Sequence, residues 1–289
     1  MIIDYAVYPP VKSFLPKRSG GQGIAYRKDY DNIYGETEKI YDQYTDNFDK
    51  FLKELDDAGI SKIFVKSRDI ETTHGLKITN EDCAELVKMY PERLIGMAGV
   101  DPFKGHAAVE ELEYAVKELG LVGVQFWPFE YDLYPHDRRY YPFYEKCIEL
   151  NIPVSIESSM HFARNVRMDL CRPLYHDYVA VDFPELKIVM STPGWPWVGE
   201  LIGVAWRHPN VYIATSVVRM KYFGMPNAGY EMLLQFGNSI LQDKIIYGTG
   251  WPNLPFKRNI EELRALPLKE EVKEKWLGKN VAKLFGIDG

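Results

Sequence analysis

Cysteine and histidine are scarce in this chain of 289 residues, which has three cysteines and six histidines. The cysteines stand far apart at Cys83, Cys147 and Cys171, and no pair of them has CxxC spacing. A disulfide framework and a thiolate metal site are therefore excluded as the basis of the fold. We expect three reduced, buried thiols in a cytoplasmic protein.

Long apolar runs and basic stripes are also missing. No run approaches the roughly 18 apolar residues that a membrane span needs, and the N-terminus lacks the pattern of a signal peptide. Acidic residues outnumber basic ones by 41 to 35, which argues against a nucleic-acid surface. GxGxxG, GxxxxGK[ST], GxSxG and HExxH motifs do not occur. The expected partner is therefore a small-molecule substrate, without nucleic acid or membrane.

The chain does contain eight short apolar runs, rich in Val and Ile, that alternate with helical patterns. Runs without polar alternation predict strands buried on both faces, as in a parallel sheet. The predicted strands are Ile2–Val7, Lys62–Val65, Leu94–Val100, Val122–Phe126, Pro153–Ile156, Leu186–Met190, Val211–Ala214 and Lys244–Tyr247. The predicted helices are Glu38–Ala58, Asn80–Tyr90, His106–Leu119, Tyr141–Leu150, Trp197–Arg207, Ala228–Phe236, Glu261–Leu266 and Glu270–Leu284. This alternation predicts one α/β domain over residues 1–289, a (β/α)8 TIM barrel.

Two predicted loops are unusually long. Lys12–Gly35 follows the first strand, and Ser158–Asp182 follows the fifth and contains a helical pattern. Both leave the carboxyl ends of strands, the face where barrel active sites form. We expect lids or pocket walls there. The 14% aromatic content, with 20 tyrosines, suits a pocket for flat ligands.

Several segments along the chain carry a family resemblance. They include Ile2–Pro10, Tyr90–Pro102, Tyr141–Lys146, Phe183–Val189, Pro193–Trp197, Tyr247–Pro252 and Leu266–Asn280. On these segments the chain resembles the amidohydrolase-related family, in the branch that includes aminocarboxymuconate-semialdehyde decarboxylase and the dihydroxybenzoate decarboxylases. The resemblance implies an amidohydrolase-like barrel, activity as a hydrolase or lyase, and a homodimer.

The resemblance breaks at the metal ligands. The His-x-His of the family's first strand is replaced by Ala6 and Tyr8, and the histidines of strands five and six by Glu157 and Thr192. The aspartate of strand eight is Gly250. Ala6 and Gly250 have no donor atom, hydroxyls are poor ligands at neutral pH, and one carboxylate does not make a tight site. We therefore predict no metal and no other cofactor.

Two alternatives remain open at this point. A metal site could be relocated, with Glu157 joined by His161, His176 or Asp177 from the strand-five loop. The chain could also be a non-catalytic pseudoenzyme that binds a ligand or has a filled barrel mouth. The altered ligand positions alone do not separate these alternatives from metal-free catalysis.

Three residues are the predicted catalytic groups. Glu157 would be partly desolvated at the barrel mouth, which raises the pKa of a carboxyl group toward the range of general acid–base catalysis. Tyr8 could donate to a developing oxyanion or relay a proton. His161 could be a proton shuttle, because the ordinary pKa of histidine is close to neutrality.

The predicted substrate-binding set combines anchors and pocket walls. A guanidinium fork matches a carboxylate in two hydrogen bonds, which favours the two arginines as anchors. Gln125 and Trp127 occupy the positions of the Lys-x-His that is frequent in strand four of the family. The complete set is Arg68, Arg164, His74, Gln125, Trp127, Thr192 and Trp251.

Other residues near the strand ends are expected to be structural. Asp4 and Asp101 should hold loops through backbone hydrogen bonds, and Tyr5 should pack outside the barrel. The sequence thus predicts a metal-independent hydrolase or lyase. It would act on a small cyclic or aromatic, carboxylated substrate by general acid–base catalysis.

Overall fold

The computed structural model describes residues 1–11, 14, 29, 33, 38–44 and 47–287. The predicted lid Lys12–Gly35 lies almost wholly outside these described residues. Within them, no helix combines the length and the apolar character that crossing a membrane requires. The three cysteines are free and buried, as expected.

Ten strands fall within the described residues. In chain order they are β1 (Ile3–Asp4), β2 (Lys62–Lys66), β3 (Arg68–Ile70), β4 (Leu76–Ile78), β5 (Leu94–Met97), β6 (Val124–Phe126), β7 (Val154–Ile156), β8 (Ile188–Met190), β9 (Val211–Ala214) and β10 (Ile245–Ile246). Strands β1, β2 and β5–β10 are the eight predicted strands. The antiparallel hairpin β3–β4 lies in the loop after β2 and was not predicted.

The eight predicted strands close into a parallel barrel. Parallel pairing gives the orders β1–β2–β5 and β6–β7–β8–β9–β10. Backbone hydrogen bonds join the two groups, from Ala98 N to Gly123 O at 2.7 Å and from Tyr5 N to Tyr247 O at 3.0 Å. Isolated β-bridges at Ala98–Val124 and Val7–Trp251 lie at the same two junctions between the groups of strands. The predicted (β/α)8 TIM barrel is therefore confirmed.

Helices pack around this barrel. They are α1 (Glu38–Tyr41), α2 (Phe48–Asp57), α3 (Glu71–His74), α4 (Asn80–Met89), α5 (His106–Lys117), α6 (Pro128–Tyr131), α7 (Tyr141–Glu149), α8 (Leu174–Asp182), α9 (Val198–Arg207), α10 (Glu231–Gly237), α11 (Phe256–Arg264), α12 (Glu270–Glu274) and α13 (Asn280–Phe285). The predicted helix 38–58 is two helices, and 261–266 begins earlier, at Phe256, whose ring is buried. A π-helical turn over Lys275–Lys279 joins α12 to α13.

Alternate residues of each strand face the barrel interior. Ile3, Tyr5 and Phe64 belong to the inner apolar cluster, which Val281 and Leu284 of α13 complete. The ring of Tyr5 lies 5.1 Å from that of Phe64. The prediction that Tyr5 packs outside the barrel was therefore wrong, because it shares the inward phase of Ile3.

Candidate active site

Glu157 follows β7 at the mouth of the barrel, and two hydroxyls from the end of β8 hold its carboxylate. Thr192 Oγ1 donates a short hydrogen bond to Oε1, and Ser191 Oγ donates to Oε2 at 3.3 Å. Burial raises the pKa of Glu157, although the hydroxyls and the charge of Lys66 act against the rise. The side chain keeps some exposure to solvent. Glu157 is thus a reachable carboxyl group suited to exchanging protons.

Lys66 is the functional candidate that the sequence analysis missed. It ends β2, is 7% exposed, and donates from Nζ to Gln125 Oε1 at 2.9 Å. The same Nζ lies 4.2 Å from the ring centroid of Tyr5. Burial lowers the pKa of Lys66 to about 7, while the charges of Glu157 and Asp4 oppose the shift. A lysine at the end of an apolar run suggests solvent, but Phe64 points into the barrel, and the alternation of side chains along β2 therefore places Lys66 inside as well.

Asp4 and Asp101 hold backbone segments, as predicted. Asp4 Oδ1 accepts from Ala6 N and from Thr249 N, both at 3.0 Å, and Oδ2 accepts from the Thr249 hydroxyl at 2.6 Å. Burial raises the pKa of Asp4 to about 6. Asp101 accepts from Phe103 N at 2.9 Å and from the backbone of α3 at 3.0 Å. Asp4 therefore joins the two strands that close the barrel.

Gly250 has a backbone conformation that residues with a side chain rarely adopt. Gly250 has a φ of +73°, and a Cβ added to it would lie 3.2 Å from Val217 N. A side chain in this left-handed conformation is strained. Ala6 is buried and has no donor. Two of the five family ligand positions thus offer no metal-binding side chain.

The described residues also give no substitute metal site. Across 1–11, 14, 29, 33, 38–44 and 47–287, no three His, Cys, Asp or Glu side chains are grouped so as to hold a metal ion. Asp177 forms an ion pair with Arg207, and its Oδ1 lies 2.7 Å from His208 Nε2. His176 is fully buried, and burial lowers its pKa to about 4. The donor set therefore does not fit a divalent metal, and the relocated set proposed around Glu157 is not assembled.

His161 packs within the strand-five loop. Its ring stacks on Phe129 with centroids 4.6 Å apart, and Nε2 lies 2.9 Å from Arg167 O. Because a carbonyl oxygen only accepts, Nε2 is the protonated nitrogen. Nδ1 has no hydrogen-bond partner in the described part of the chain. Burial lowers the pKa of His161, so the ring is neutral, and its role as a proton shuttle stays a prediction.

Arg68 already has a carboxylate partner inside the protein. Its Nε donates to Glu130 Oε2 at 3.0 Å, its NH2 group pairs with the other oxygen, and the carboxylate of Glu130 is fully buried. The guanidinium also lies 5.0 Å from the ring centroid of Trp127. Burial and the charge of Arg68 lower the pKa of His74. The predicted anchor Arg68, the predicted substrate contact His74 and the predicted wall Trp127 thus lie together, and Glu130 is an unpredicted member of this group.

Two predicted substrate contacts lie elsewhere. Arg164 is 79% exposed and pairs with Asp29, with Nε 3.2 Å from Oδ1, so it connects the strand-five loop to the segment after β1. Trp251 is only 2% exposed and stacks on Phe256, with ring centroids 5.6 Å apart. Its ring also lies 4.9 Å from that of Phe51. Trp251 thus packs between the barrel and the helices, and its role as a pocket wall stays a prediction.

Three predicted residues remain: Thr192, Gln125 and Tyr8. Thr192 contacts Glu157, and Gln125 contacts Lys66, so both take part in the cluster at the strand ends. Tyr8 is half-buried against the main core, and its backbone N–H donates to Trp251 O at 3.0 Å. Its proposed role as a phenol donor stays a prediction.

A cavity of about 640 Å³ opens between the loops that follow β9 and β10. Its volume is in the range of small-molecule sites. Residues from both loops, from the loop after β8 and from α11 line it, among them Trp195, Val217, Tyr222, Tyr230 and Arg258. The described residues that line this cavity do not include Glu157, Lys66 or Thr192, so it lies apart from the cluster around Glu157.

Comparison with solved structures supports this architecture. An uncharacterised TIM-barrel protein from Bordetella bronchiseptica is 27% identical, with a TM-score of 0.79 over 99% of this chain and 98% of that one. The 5-carboxyvanillate decarboxylase of Sphingomonas paucimobilis is 18% identical, with a TM-score of 0.73 over 100% and 99%. The dihydroxybenzoic acid decarboxylase of a Polaromonas species, solved with manganese and 2-nitroresorcinol, is 19% identical, with a TM-score of 0.68 over 99% and 97%.

Sequence comparison gives the family. No curated protein sequence matches this chain significantly. The family model described as amidohydrolase matches residues 28–287, which is most of the chain. The predicted resemblance, and with it the prediction of an enzyme of the amidohydrolase superfamily, is confirmed. The chain belongs to the amidohydrolase family.

Proposed function

We propose that this enzyme is a lyase that acts on a small carboxylated aromatic or cyclic substrate without a metal. Glu157 is its general acid and base. The names of two structural neighbours, which decarboxylate carboxyvanillate and dihydroxybenzoic acid, support the substrate class. The observation that carries the proposal is the Glu157 carboxylate, which is held by Thr192 and Ser191 and has a raised pKa.

The chemistry needs only a proton donor and a cation. In the decarboxylation of a hydroxylated aromatic acid, the protonated Glu157 gives its proton to the ring carbon that bears the carboxylate. The bond to the carboxylate then breaks, its electron pair restores the ring, and CO2 leaves. Water returns a proton to Glu157. A raised pKa keeps more of the carboxyl group protonated near neutral pH, as a general acid requires.

The positive charge for this reaction comes from the protein. The Lys66 ammonium lies close enough to Glu157 for their charges to interact, and it could offset the negative charge of the substrate. Arg68 contributes less, because Glu130 already neutralises it. This division of roles keeps acid–base chemistry at Glu157 and charge balance at Lys66.

The test is turnover of 5-carboxyvanillate and of dihydroxybenzoate by protein treated with a chelator, followed as CO2 release. We expect activity, and a loss of about 100-fold or more in kcat for Glu157→Gln. Glu185→Gln, at an exposed position, is the matched control and should leave kcat unchanged. Wild-type turnover by Glu157→Gln would show that the assignment is wrong.

The alternatives give different results in the same assay. A pseudoenzyme would bind these acids in calorimetry without releasing CO2 from any of them. A metal-dependent enzyme would be inactive after chelation and would recover with manganese, the metal bound in the Polaromonas enzyme. Either result would overturn the proposal.

A further inference from the structure

The cavity between the loops after β9 and β10 is large enough for a ligand of its own. Its volume of about 640 Å³ lies within the range of sites for drug-sized molecules, so a single-ring acid would fill only a minor part of it. It lies apart from Glu157, and the chemistry proposed above assigns it no role. Its walls combine aromatic and aliphatic side chains with two arginines and two asparagines. This lining suits a flat molecule with few polar groups.

The aromatic walls of the cavity are fixed by packing. Trp195 is 41% exposed, and its ring lies so close to Gly229 that a Cβ added to that glycine would overlap it. Gly229 has a φ of +85°, a conformation that glycine adopts without strain. Tyr230 stacks on the fully buried Phe223, with ring centroids 4.9 Å apart. Because these rings are already ordered, a flat ligand that packs on them costs little side-chain entropy.

The backbone of one lining residue is strained. Val217 has a φ of +66°, in the left-handed region, where a β-branched residue is an outlier. Its N–H donates to Thr249 O at 3.0 Å, and the hydroxyl of Thr249 donates to Asp4 at 2.6 Å. The strand ends of the barrel therefore hold Val217 in this conformation. Strain that the surrounding structure maintains is concentrated at functional sites, so Val217 is a second, independent observation that points to a ligand site.

The charges around the cavity favour an anion. The described lining includes Arg219 and Arg258 and contains no aspartate or glutamate. Glu262, outside this lining, accepts from Arg219 Nε at 3.0 Å and also pairs with the NH2 group. Arg258 is exposed, and it has no hydrogen bond or ion pair with another described residue, although its charge acts on Glu262. One guanidinium is therefore available to one anionic group.

We propose that this cavity is a second ligand site, which binds an aromatic carboxylate of two rings. Arg258 pairs with the carboxylate, because its planar fork matches that group in two hydrogen bonds. Trp195 and Tyr222 contact the rings, and the amides of Asn227 and Asn253 offer hydrogen bonds to ring substituents. The site uses none of the residues of the proposed lyase centre and does not rest on the lyase function.

The experiment is photo-crosslinking with 4-benzoylbenzoate, a two-ring aromatic acid. Its excited ketone inserts into nearby C–H bonds, preferentially those beside a methionine sulfur. Met225 lines the cavity, whereas Met232 is not among the described lining residues, and the two are 50% and 51% exposed. Both lie in the tryptic peptide 222–244, so they form a matched pair. We expect saturable labelling of Met225 and none of Met232.

Three comparisons test the charge and the space of the site. The neutral 4-benzoylbenzamide should need about fivefold more ligand for half-saturation at Met225, because it lacks the charge. Arg258→Gln should weaken binding of the acid by the same factor. Arg264→Gln, an exposed position on the same helix outside the described lining, should not. Ala228→Trp fills the cavity from its wall and should abolish the label.

Several results would overturn the proposal. They are no saturable label at Met225, equal labelling of Met225 and Met232, and equal affinities for the acid and the amide. Label confined to the peptide that carries Glu157 would also overturn it, because the acid would then bind only at the lyase centre. If Met225 is labelled as expected but the carboxylated substrates are not turned over, the second ligand site is supported and only the proposed lyase function fails.

Discussion

Lys66 Nζ and Gln125 Oε1 lie 2.9 Å apart inside the barrel. Gln125 stands where the family resemblance places a lysine on strand four, so the cation of this chain comes from a different strand. Its amine is still directed to the same region of the mouth, because the side chain from β2 reaches across to β6. In this chain the buried cation comes from β2, and its charge interacts with that of Glu157.

Replacing Lys66 should stabilise the protein in a pH-dependent way. The pKa of Lys66 is lower in the folded chain, at about 7, than in the unfolded one, so the folded state binds fewer protons between about pH 7 and pH 10. Lys66→Met should therefore raise the free energy of unfolding at pH 6 by on the order of 2–4 kcal/mol. The advantage should shrink as the pH rises from 7 toward 10, because the wild-type lysine is then neutral in the folded state and no longer carries a buried charge.

Urea unfolding of both proteins at pH 6, 8 and 10 checks this prediction. Lys62→Met is the control, and its difference from the wild type should change little over this range. A Lys66→Met protein that is less stable at pH 6 would mean that the ammonium is well compensated inside the barrel.

Thr192→Val should move the pH profile of the enzyme. The Thr192 hydroxyl donates to the Glu157 carboxylate and so lowers its pKa. Without this bond the pKa of Glu157 rises further, and the fall in kcat at high pH that reports the acid form moves to higher pH. We also expect a loss of about 1 kcal/mol in the free energy of unfolding. Thr72→Val, at an exposed position on α3, should shift neither quantity.

The glycine at position 250 should be required by the backbone. Gly250→Ala places a Cβ at a φ of +73° and 3.2 Å from Val217 N, so we expect a loss of about 1–2 kcal/mol in the free energy of unfolding. Gly203→Ala lies within α9, where an added Cβ meets no atom within 4 Å. It should stabilise by about 0.5–1 kcal/mol. Thermal unfolding of the two variants measures both changes in stability. Equal changes for Gly250→Ala and Gly203→Ala would refute the argument from the backbone conformation of Gly250.

The Arg68–Glu130 pair should be strongly coupled. The carboxylate of Glu130 is fully buried, so Glu130→Ala leaves Arg68 without its buried partner and should cost about 3–5 kcal/mol. Asp57→Ala removes the partner of Lys53 in a pair that is more than half exposed, and should cost under about 1 kcal/mol. A small loss for Glu130→Ala in chemical unfolding would contradict this coupling.

The sequence predicted the barrel and part of the site for the same physical reason. Apolar runs that are buried on both faces mark parallel strands, and the carboxyl ends of neighbouring strands meet at one face. Glu157 and Thr192 were therefore expected at the mouth, and the structure joins them by a hydrogen bond.

The apolar runs lack polar alternation, and for this reason the sequence did not predict the direction of several side chains. When both faces of a strand are apolar, the pattern does not reveal which residues point inward, so Tyr5 and Lys66 were misplaced or missed. Trp251 follows the left-handed turn at Gly250, and no sequence pattern gave the direction in which its ring leaves that turn. The Arg68–Glu130 pair depends on the short helix after β6, which the sequence analysis did not predict.

The most direct test of the central claim, a metal-free site built on Glu157 and Lys66, is CO2 release by chelator-treated protein whose metal content has been measured. We predict that wild-type protein with far less than one metal ion per chain turns over a carboxylated substrate at its full rate, and that Glu157→Gln does not. Activity that disappears with the metal and returns in proportion to added manganese would contradict the account.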